Sequence, residues 1–484
     1  MRSLIRLLAS VALIVTVDAQ ESASAPPNMV VILADDLGLG DLGCYNPASK
    51  IPTPNLDALA AAGLRFTDAH SPSAVCTPTR YGVLTGRYAW RTKLKTGVLW
   101  GYDPCLIDPE RLTLPAALHQ VGYRTGAVGK WHLGFGNTKP VDFSQPLHPG
   151  PLDLGFDEFF GIPASLDIPP YVYVLGDRAI QDPTATVEGS AHRRQGGGGF
   201  WRKGAAGPDF RHAEVLPRFG FRAVEFIERS VRTDPDQPFF LYLALSAPHT
   251  PWLPSEAFSG TSEVEHYGDF VCQVDALVGR VLAALERMGV ADETLVVFTS
   301  DNGSHWPDAD IQRHGHDANL GYRGQKADIW EGGHRVPFVV RWPGMIPPGR
   351  ESAFLLSLTD IYATLCGFAH VGLPADAAED SYDQTLAFLS TEEGTGRRDA
   401  IQHSINGTFA LRSGPWKLIE GLGSGGFTSP KTVQPTEGGP TGQLYHLGRD
   451  PWETTNLWLD EPEIVEEMRA RLQAQRDAGR TRAR

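Results

Sequence analysis

The sequence predicts an α/β fold: a large, mostly parallel sheet flanked by helices, followed by a smaller C-terminal antiparallel sheet plus helix. Three observations carry that prediction. Short apolar runs, many with β-branched residues, alternate with helical patterns through most of the chain, as in a sheet covered on both faces. After about residue 395 the pattern changes to closely spaced short strands. The 484 residues also exceed what one core holds, since single cores stop growing at roughly 250–300 residues.

In chain order, residues 1–19 read as an export signal. Arg2 and Arg6 give a positive start, residues 7–17 are apolar but too short for a membrane span, and Ala19 is the small residue that cleavage favours. A secreted or periplasmic protein with no membrane span is expected. The clearest strands are residues 29–33, 239–245, 295–298 and 337–341, and residues 123–128 add another. Helical patterns lie at 56–62, 114–121, 219–229 and 270–288. Residues 182–208, with their glycine run at 196–199, and the Asp- and His-rich residues 304–319 read as loops. Beyond 395, residues 400–403, 408–412, 416–419 and 444–446 read as strands, 421–442 as a Gly/Pro/Thr-rich span, and 461–475 as a helix. The expected division is a signal at 1–19, a main α/β domain at 20–395 and an α+β subdomain at 396–484.

Composition narrows the function. A formal net charge of −14 gives no basic footprint for nucleic acid, so any anionic substrate must be attracted by a few placed cations. The five cysteines (Cys44, Cys76, Cys105, Cys272 and Cys366) form no CxxC pair, and an odd number leaves at least one unpaired if all disulfides are internal.

Chemistry gathers at predicted strand ends. Asp35 and Asp36 follow the first strand, and Asp301 and Asn302 follow the strand at 295–298. Together they form an all-oxygen set that suits Ca²⁺ or Mg²⁺ and not zinc. Lys130 and His132 follow the strand at 123–128, and His249 follows the strand at 239–245. In open α/β sheets ligands bind beyond the carboxyl ends of strands. Cys76-Thr77-Pro78-Thr79-Arg80 places a cysteine at a helix start, with Arg80 one turn on and Pro78 in the first turn. The dipole there favours an anion, although a buried cysteine before a helix reads the same way.

The Cys-x-Pro-x-Arg segment with the trailing Leu84-Thr85-Gly86-Arg87 resembles the maturation signature of type I, formylglycine-dependent sulfatases of the arylsulfatase type, in the alkaline phosphatase superfamily. The resemblance extends through Gly129-Lys130-Trp131-His132, Pro248-His249, Asp301-Asn302-Gly303, Gly324-Gln325-Lys326 and Glu331-Gly332-Gly333 to Asn456-Leu457. It implies a sulfuric ester hydrolase acting on a sulfate ester, with sulfated carbohydrate as the expected substrate class. It implies that a formylglycine-generating enzyme oxidises Cys76. It implies Ca²⁺ held by Asp35, Asp36, Asp301, Asn302 and the modified Cys76. Arg80 and Lys130 would stabilise the hydrated aldehyde, Lys130, His249 and Lys326 would hold sulfate oxygens, His249 would protonate the leaving alcohol, and His132 would serve as base. A formylglycine-dependent phosphodiesterase or phosphonate monoester hydrolase shares these features and is the alternative. Trp100, Tyr102, His212, Trp306, His314 and His316 suit a sugar pocket and suit packing equally; His212 and His316 are the candidates for substrate contact.

Overall fold

A computed structural model describes residues 26–191, 200–390 and 396–483. The export signal expected at 1–19 and the glycine run at 196–199 lie outside the described residues.

The main sheet has ten strands. In chain order they are β1 (Asn28–Asp35), β2 (Leu64–Phe66), β3 (Arg124–Lys130), β4 (Glu158–Ile162), β5 (Val174–Leu175), β6 (Arg178–Ala179), β7 (Phe239–Pro248), β8 (Thr294–Ser300), β9 (Phe338–Arg341) and β10 (Arg350–Ser352). Across the sheet they run β10-β2-β9-β8-β1-β7-β3-β4-β5-β6. The five central strands, β8-β1-β7-β3-β4, are mutually parallel. Outside them β9 runs antiparallel to β8 and β2 antiparallel to β9, and β5 and β6 fold back as a meander.

Strands β1, β7 and β8 are buried along their whole length, which is why each reads as a continuous apolar run. The strand period of two sends their side chains into separate cores. Met29, Val31 and Leu33 join Phe240, Tyr242, Leu295 and Val297 on one face. There they meet α2 (Cys76–Thr85), α3 (Leu114–His119) and α7 (Asp360–Phe368). Val30 and Ile32 join Leu241, Leu243, Val296 and Phe298 on the other. That face is covered by α1 (Pro54–Ala61), α4 (Val215–Thr233) and α5 (Glu265–Arg287).

The C-terminal sheet is antiparallel, in the order β11 (Asp399–His403), β12 (Phe409–Ser413), β13 (Trp416–Ile419), β14 (Gln443–His446). Helix α8 (Pro462–Asp477) sets Val465, Met468 and Leu472 against Ile401, Leu411, Leu418 and Leu444. Tyr88 and Trp90 of the main unit complete this small core.

Two expectations need correction. Residues 304–319 are not all loop, because Asp308–His314 forms a helix, α6. Its signals are legible afterwards: Asp308 and Asp310 in the first turn, Arg313 and His314 in the last, and Gly315 in the left-handed C-terminal position, φ 57°. The described part of 182–208 contains short antiparallel pairs, Ala185–Val187 with Gly204–Ala206 and Ser190–Ala191 with Phe200–Trp201. Among the described residues, no helix is long and apolar enough to cross a membrane.

Candidate active site

The order β3-β7-β1-β8 puts four parallel strands side by side, so their carboxyl ends open on one edge. Lys130 ends β3, Asp35 ends β1, His249 follows β7, and Asp301 and Asn302 follow β8. Helix α2 enters the same edge. Its first residue is Cys76, preceded by Val75 in extended conformation (φ −145°, ψ 158°). A carboxylate oxygen of Asp35, one of Asp301 and the Cys76 Sγ lie within 4.8 Å of one another, and Asp35, Asp36 and His249 form a second such group.

The approach to Cys76 is held from three sides. Ser71 N donates to His334 O (2.8 Å), Ala74 N to His403 O (3.0 Å), and Ala327 N to Ala74 O (2.7 Å). His403 ends β11, so the C-terminal sheet helps fix the segment. Behind Cys76, the Thr77 hydroxyl donates to His132 O (3.0 Å) and accepts from Leu99 N (3.2 Å).

The cations are as buried as the acids. Arg80, fully buried, donates from Nε and Nη2 to Asp301 Oδ2 (3.0 and 2.8 Å) and from Nη1 to Lys130 O (2.9 Å). Lys130 Nζ reaches both Asp35 oxygens (2.9 and 2.8 Å), and Lys326 Nζ reaches Asp36 Oδ2 (2.7 Å). Asn302 Nδ2 donates to Asp36 Oδ1 (2.7 Å). His249 Nδ1 donates to Thr250 O (2.5 Å), leaving Nε2 3.7 Å from Asp36. His132 Nε2 donates to Leu99 O (2.8 Å), and its buried Nδ1 has no partner. Asp36 (φ 66°) and His132 (φ 56°) both adopt the left-handed backbone region, strain that folds tolerate mainly at functional sites.

These contacts set the charge states. Burial raises Asp35, but Lys130, His249, Arg80 and Lys326 outweigh it and hold that carboxyl well below the usual range. Burial and the neighbouring Asp35 push Asp301 up to about 7 in spite of Arg80 and Lys130. Burial raises the Cys76 thiol, partly offset by Lys130 and Lys326. Burial, with Lys130 and Arg80 adding to it, holds His132 well below the ordinary imidazole range. His132 is therefore neutral, with the proton on Nε2 and the lone pair on Nδ1.

The donor set fits a hard divalent cation. Asp301 resists ionising beside Asp35, and Asn302 Oδ1 is buried without a partner. An ion bound by these oxygens would relieve both.

Two expected substrate contacts are engaged by packing partners of their own. His316 is 3% exposed, with Nε2 bonded to Asp41 Oδ1 (2.9 Å) and its ring against Trp306. His212 packs among Tyr171, Trp201 and Phe210, and burial lowers it to about 4. A lone histidine in a loop carries no sequence mark that separates packing from binding. Among residues the sequence did not flag, Thr77 and Leu99 orient His132, and Ser300 Oγ accepts from Leu37 N (2.9 Å) to brace the Asp36 turn. Their contacts join distant segments and have no local signature.

None of the five cysteines is disulfide-bonded. The odd count therefore says nothing about Cys76; its position does.

The Sulfatase family model matches residues 27–371, which include the positions of Asp35, Cys76, Lys130, His249, Asp301 and Asn302. The chain is 34% identical to an N-acetylgalactosamine-6-O-sulfatase of Bacteroides thetaiotaomicron, over 93% of this chain and 93% of that protein. It is 35% identical to arylsulfatase A of Bos taurus, over 95% of this chain and 90% of that one. A solved structure from work on the metabolism of multiple glycosaminoglycans by Bacteroides thetaiotaomicron superposes with a TM-score of 0.82 at 32% identity, over 93% of this chain and 99% of that chain. The chain belongs to the sulfatase family and is a sulfuric ester hydrolase.

Proposed function

We propose that the protein hydrolyses sulfate monoesters of carbohydrates, with formylglycine at position 76 and Ca²⁺ held by Asp35, Asp36, Asp301 and Asn302. The observation that carries this is the convergence of Asp35, Cys76 and Asp301 within 4.8 Å at a helix N-terminus on the sheet edge. Carbohydrate as the substrate class is supported by the N-acetylgalactosamine-6-O-sulfatase, which matches along nearly its whole length.

Formylglycine made from Cys76 by a formylglycine-generating enzyme would supply, as its hydrate, one hydroxyl that could displace the alcohol from sulfur and a second whose loss of a proton could expel sulfate and restore the aldehyde. Ca²⁺ would supply Lewis acidity toward the ester's oxygens. The chain's own residues do the rest. Arg80 and Lys130, buried and fixed, set a positive field around position 76. Lys326 and His249 flank Asp36 and offer the sulfate an ammonium and an imidazole. His249 spends Nδ1 on Thr250 O, which leaves Nε2 as the atom through which it would pass a proton to the departing alcohol. His132 presents the lone pair of an unpartnered Nδ1 and accepts the hydroxyl proton. Export of the chain belongs to the same reading and rests on residues 1–19.

Turnover of an aryl sulfate against an aryl phosphodiester, with mass spectrometry of the Cys76 peptide from active protein, tests the proposal. Faster sulfate turnover and an aldehyde at residue 76 are expected. Phosphodiester preference, or an unmodified cysteine in fully active protein, refutes it.

A further inference from the structure

Of the aromatic side chains in the candidate loops, Trp306 is 2% exposed, but Trp100 is 50% exposed. Singly exposed apolar side chains are ordinary, so exposure alone marks nothing; the place of this indole in the fold does. Leu99, the preceding residue, accepts from His132 Nε2 through its carbonyl and donates to Thr77 Oγ1 through its amide. Trp100 thus follows directly on the residue that joins His132 to the neighbour of Cys76.

The loop that carries it is pinned by close contacts. Trp100 N donates to Asp103 Oδ2 (2.7 Å). Gly101 lies so close to the chain that a Cβ there would stand 2.2 Å from Pro169 O. The segment it touches also leaves the same sheet edge: His132 N donates to Pro163 O (3.0 Å), just past the end of β4. From this segment Asp167 fixes Arg202, whose Nη1 donates to Asp167 Oδ2 (2.5 Å) and O (3.1 Å). The guanidinium carbon lies 5.0 Å from the centre of the Trp100 ring, so one side of the indole is backed by a held cation.

We propose that the open face of Trp100 is the platform on which the sulfate-bearing pyranose stacks, and that Arg202 is the residue that positions it. The inference rests on the carbohydrate reading above. A sugar ring presents C–H groups on one face and hydroxyls at its edge, the chemistry that a fixed, exposed aromatic plane recognises. A small aryl sulfate is held at sulfur by the buried cations and does not need that wall.

The experiment compares Trp100→Ala, Trp100→Phe and Arg202→Gln with the wild type on three substrates: 4-nitrophenyl sulfate, N-acetylgalactosamine 6-sulfate and a 6-sulfated chondroitin oligosaccharide. Trp100→Ala should lose about ten- to a hundredfold in kcat/KM on the saccharides, the usual loss for truncating an aromatic anchor. The loss should be carried by KM, with aryl sulfate turnover unchanged. Trp100→Phe should restore most of the saccharide activity, and Arg202→Gln should show a smaller loss of the same pattern. Saccharide turnover untouched by Trp100→Ala, or equal losses on all three substrates, overturns the platform alone. Wild-type protein that hydrolyses the aryl sulfate and neither saccharide overturns the carbohydrate reading, and the platform with it.

Discussion

Lys417, on the C-terminal sheet, is fully buried at the seam with the main unit. Its Nζ lies 3.0 Å from Glu331, 2.8 Å from Glu453 and 3.0 Å from His334 Nε2. From there a wire runs through His334 Nδ1 to His70 Nδ1 (3.0 Å) and from His70 Nε2 to Asp68 (2.9 Å). Burial lowers both histidines, so both are neutral and each donates onward toward Asp68. Arg335 and Arg412 pair with Asp68, and Arg335 also with Glu331. Three cations therefore balance three carboxylates. Lys417→Met removes the shared ammonium, and breaking a buried pair by removing one partner costs about 3–5 kcal/mol. The cost should also depend on pH. Burial, aided by Glu331, pushes Glu453 up to about 7 even beside Lys417. Because the folded state holds this proton longer than the unfolded chain, Glu453 costs stability as pH rises from about 4.5 to about 7. Without Lys417 the proton is held to still higher pH. The penalty of the substitution should thus grow by about 1.4 kcal/mol for each pH unit above 7. Urea unfolding of both proteins at pH 6 and pH 8 measures it. A penalty under about 1 kcal/mol at pH 8, or equal penalties at the two pH values, would refute the charge-balance reasoning.

Cys76→Ala should abolish turnover of an aryl sulfate and leave the circular dichroism spectrum and melting temperature nearly unchanged; Cys76→Ser should give at most a single slow turnover, and sustained wild-type rates would rule out formylglycine. Asp301→Ala should lose calcium and activity together, read by elemental analysis and by loss of the rise in melting temperature on adding Ca²⁺; active protein with stoichiometric zinc and no calcium would exclude the assignment. His249→Ala should harm a sulfated sugar more than an activated aryl sulfate by about 10²–10⁴-fold, the usual contribution of a general acid to a poor leaving group. Equal losses in kcat/KM on both would make His249 a sulfate ligand only.

Five of the ten strands of the main sheet were legible, because burial on both faces writes itself as apolar runs, and the other five are short or lie toward its edges. Residues 29–33, 239–245 and 295–298 each fall inside a central strand. Their direction and order were not legible. β9 reads like its neighbours but runs antiparallel to β8, since direction is set by the connecting chain. The strand β4 was missed because its five residues, Glu-Phe-Phe-Gly-Ile, begin with an acid and carry a glycine. The site was legible for a different reason. Asp35, Lys130, His249 and Asp301 each sit at or just past a strand end, a local property, and strand adjacency then brings them together. What stayed hidden was long-range pairing. His316 looked like a pocket residue until Asp41, 275 positions away, proved to be its partner. Likewise nothing near Lys417 announces Glu331 and Glu453.

The charges of the site explain how an acidic chain can take an anionic substrate. Asp35, Asp36 and Asp301 face Arg80, Lys130 and Lys326, and His132 close by carries no charge. With all three carboxylates ionised, as a bound metal would require of Asp301, three negatives against three positives leave nothing to attract a sulfate. A divalent ion bound among the carboxylates turns that balance into a surplus of two positive charges, in a place where burial limits screening. The chain as a whole carries the opposite sign, with a net charge of −14. Anion binding at this edge would then depend on the metal together with the lysines and position 76. Calcium would therefore set affinity for the sulfate as well as reactivity. An uncharged mimic of the leaving alcohol should bind nearly as well without the ion, whereas free sulfate should lose most of its affinity on chelation.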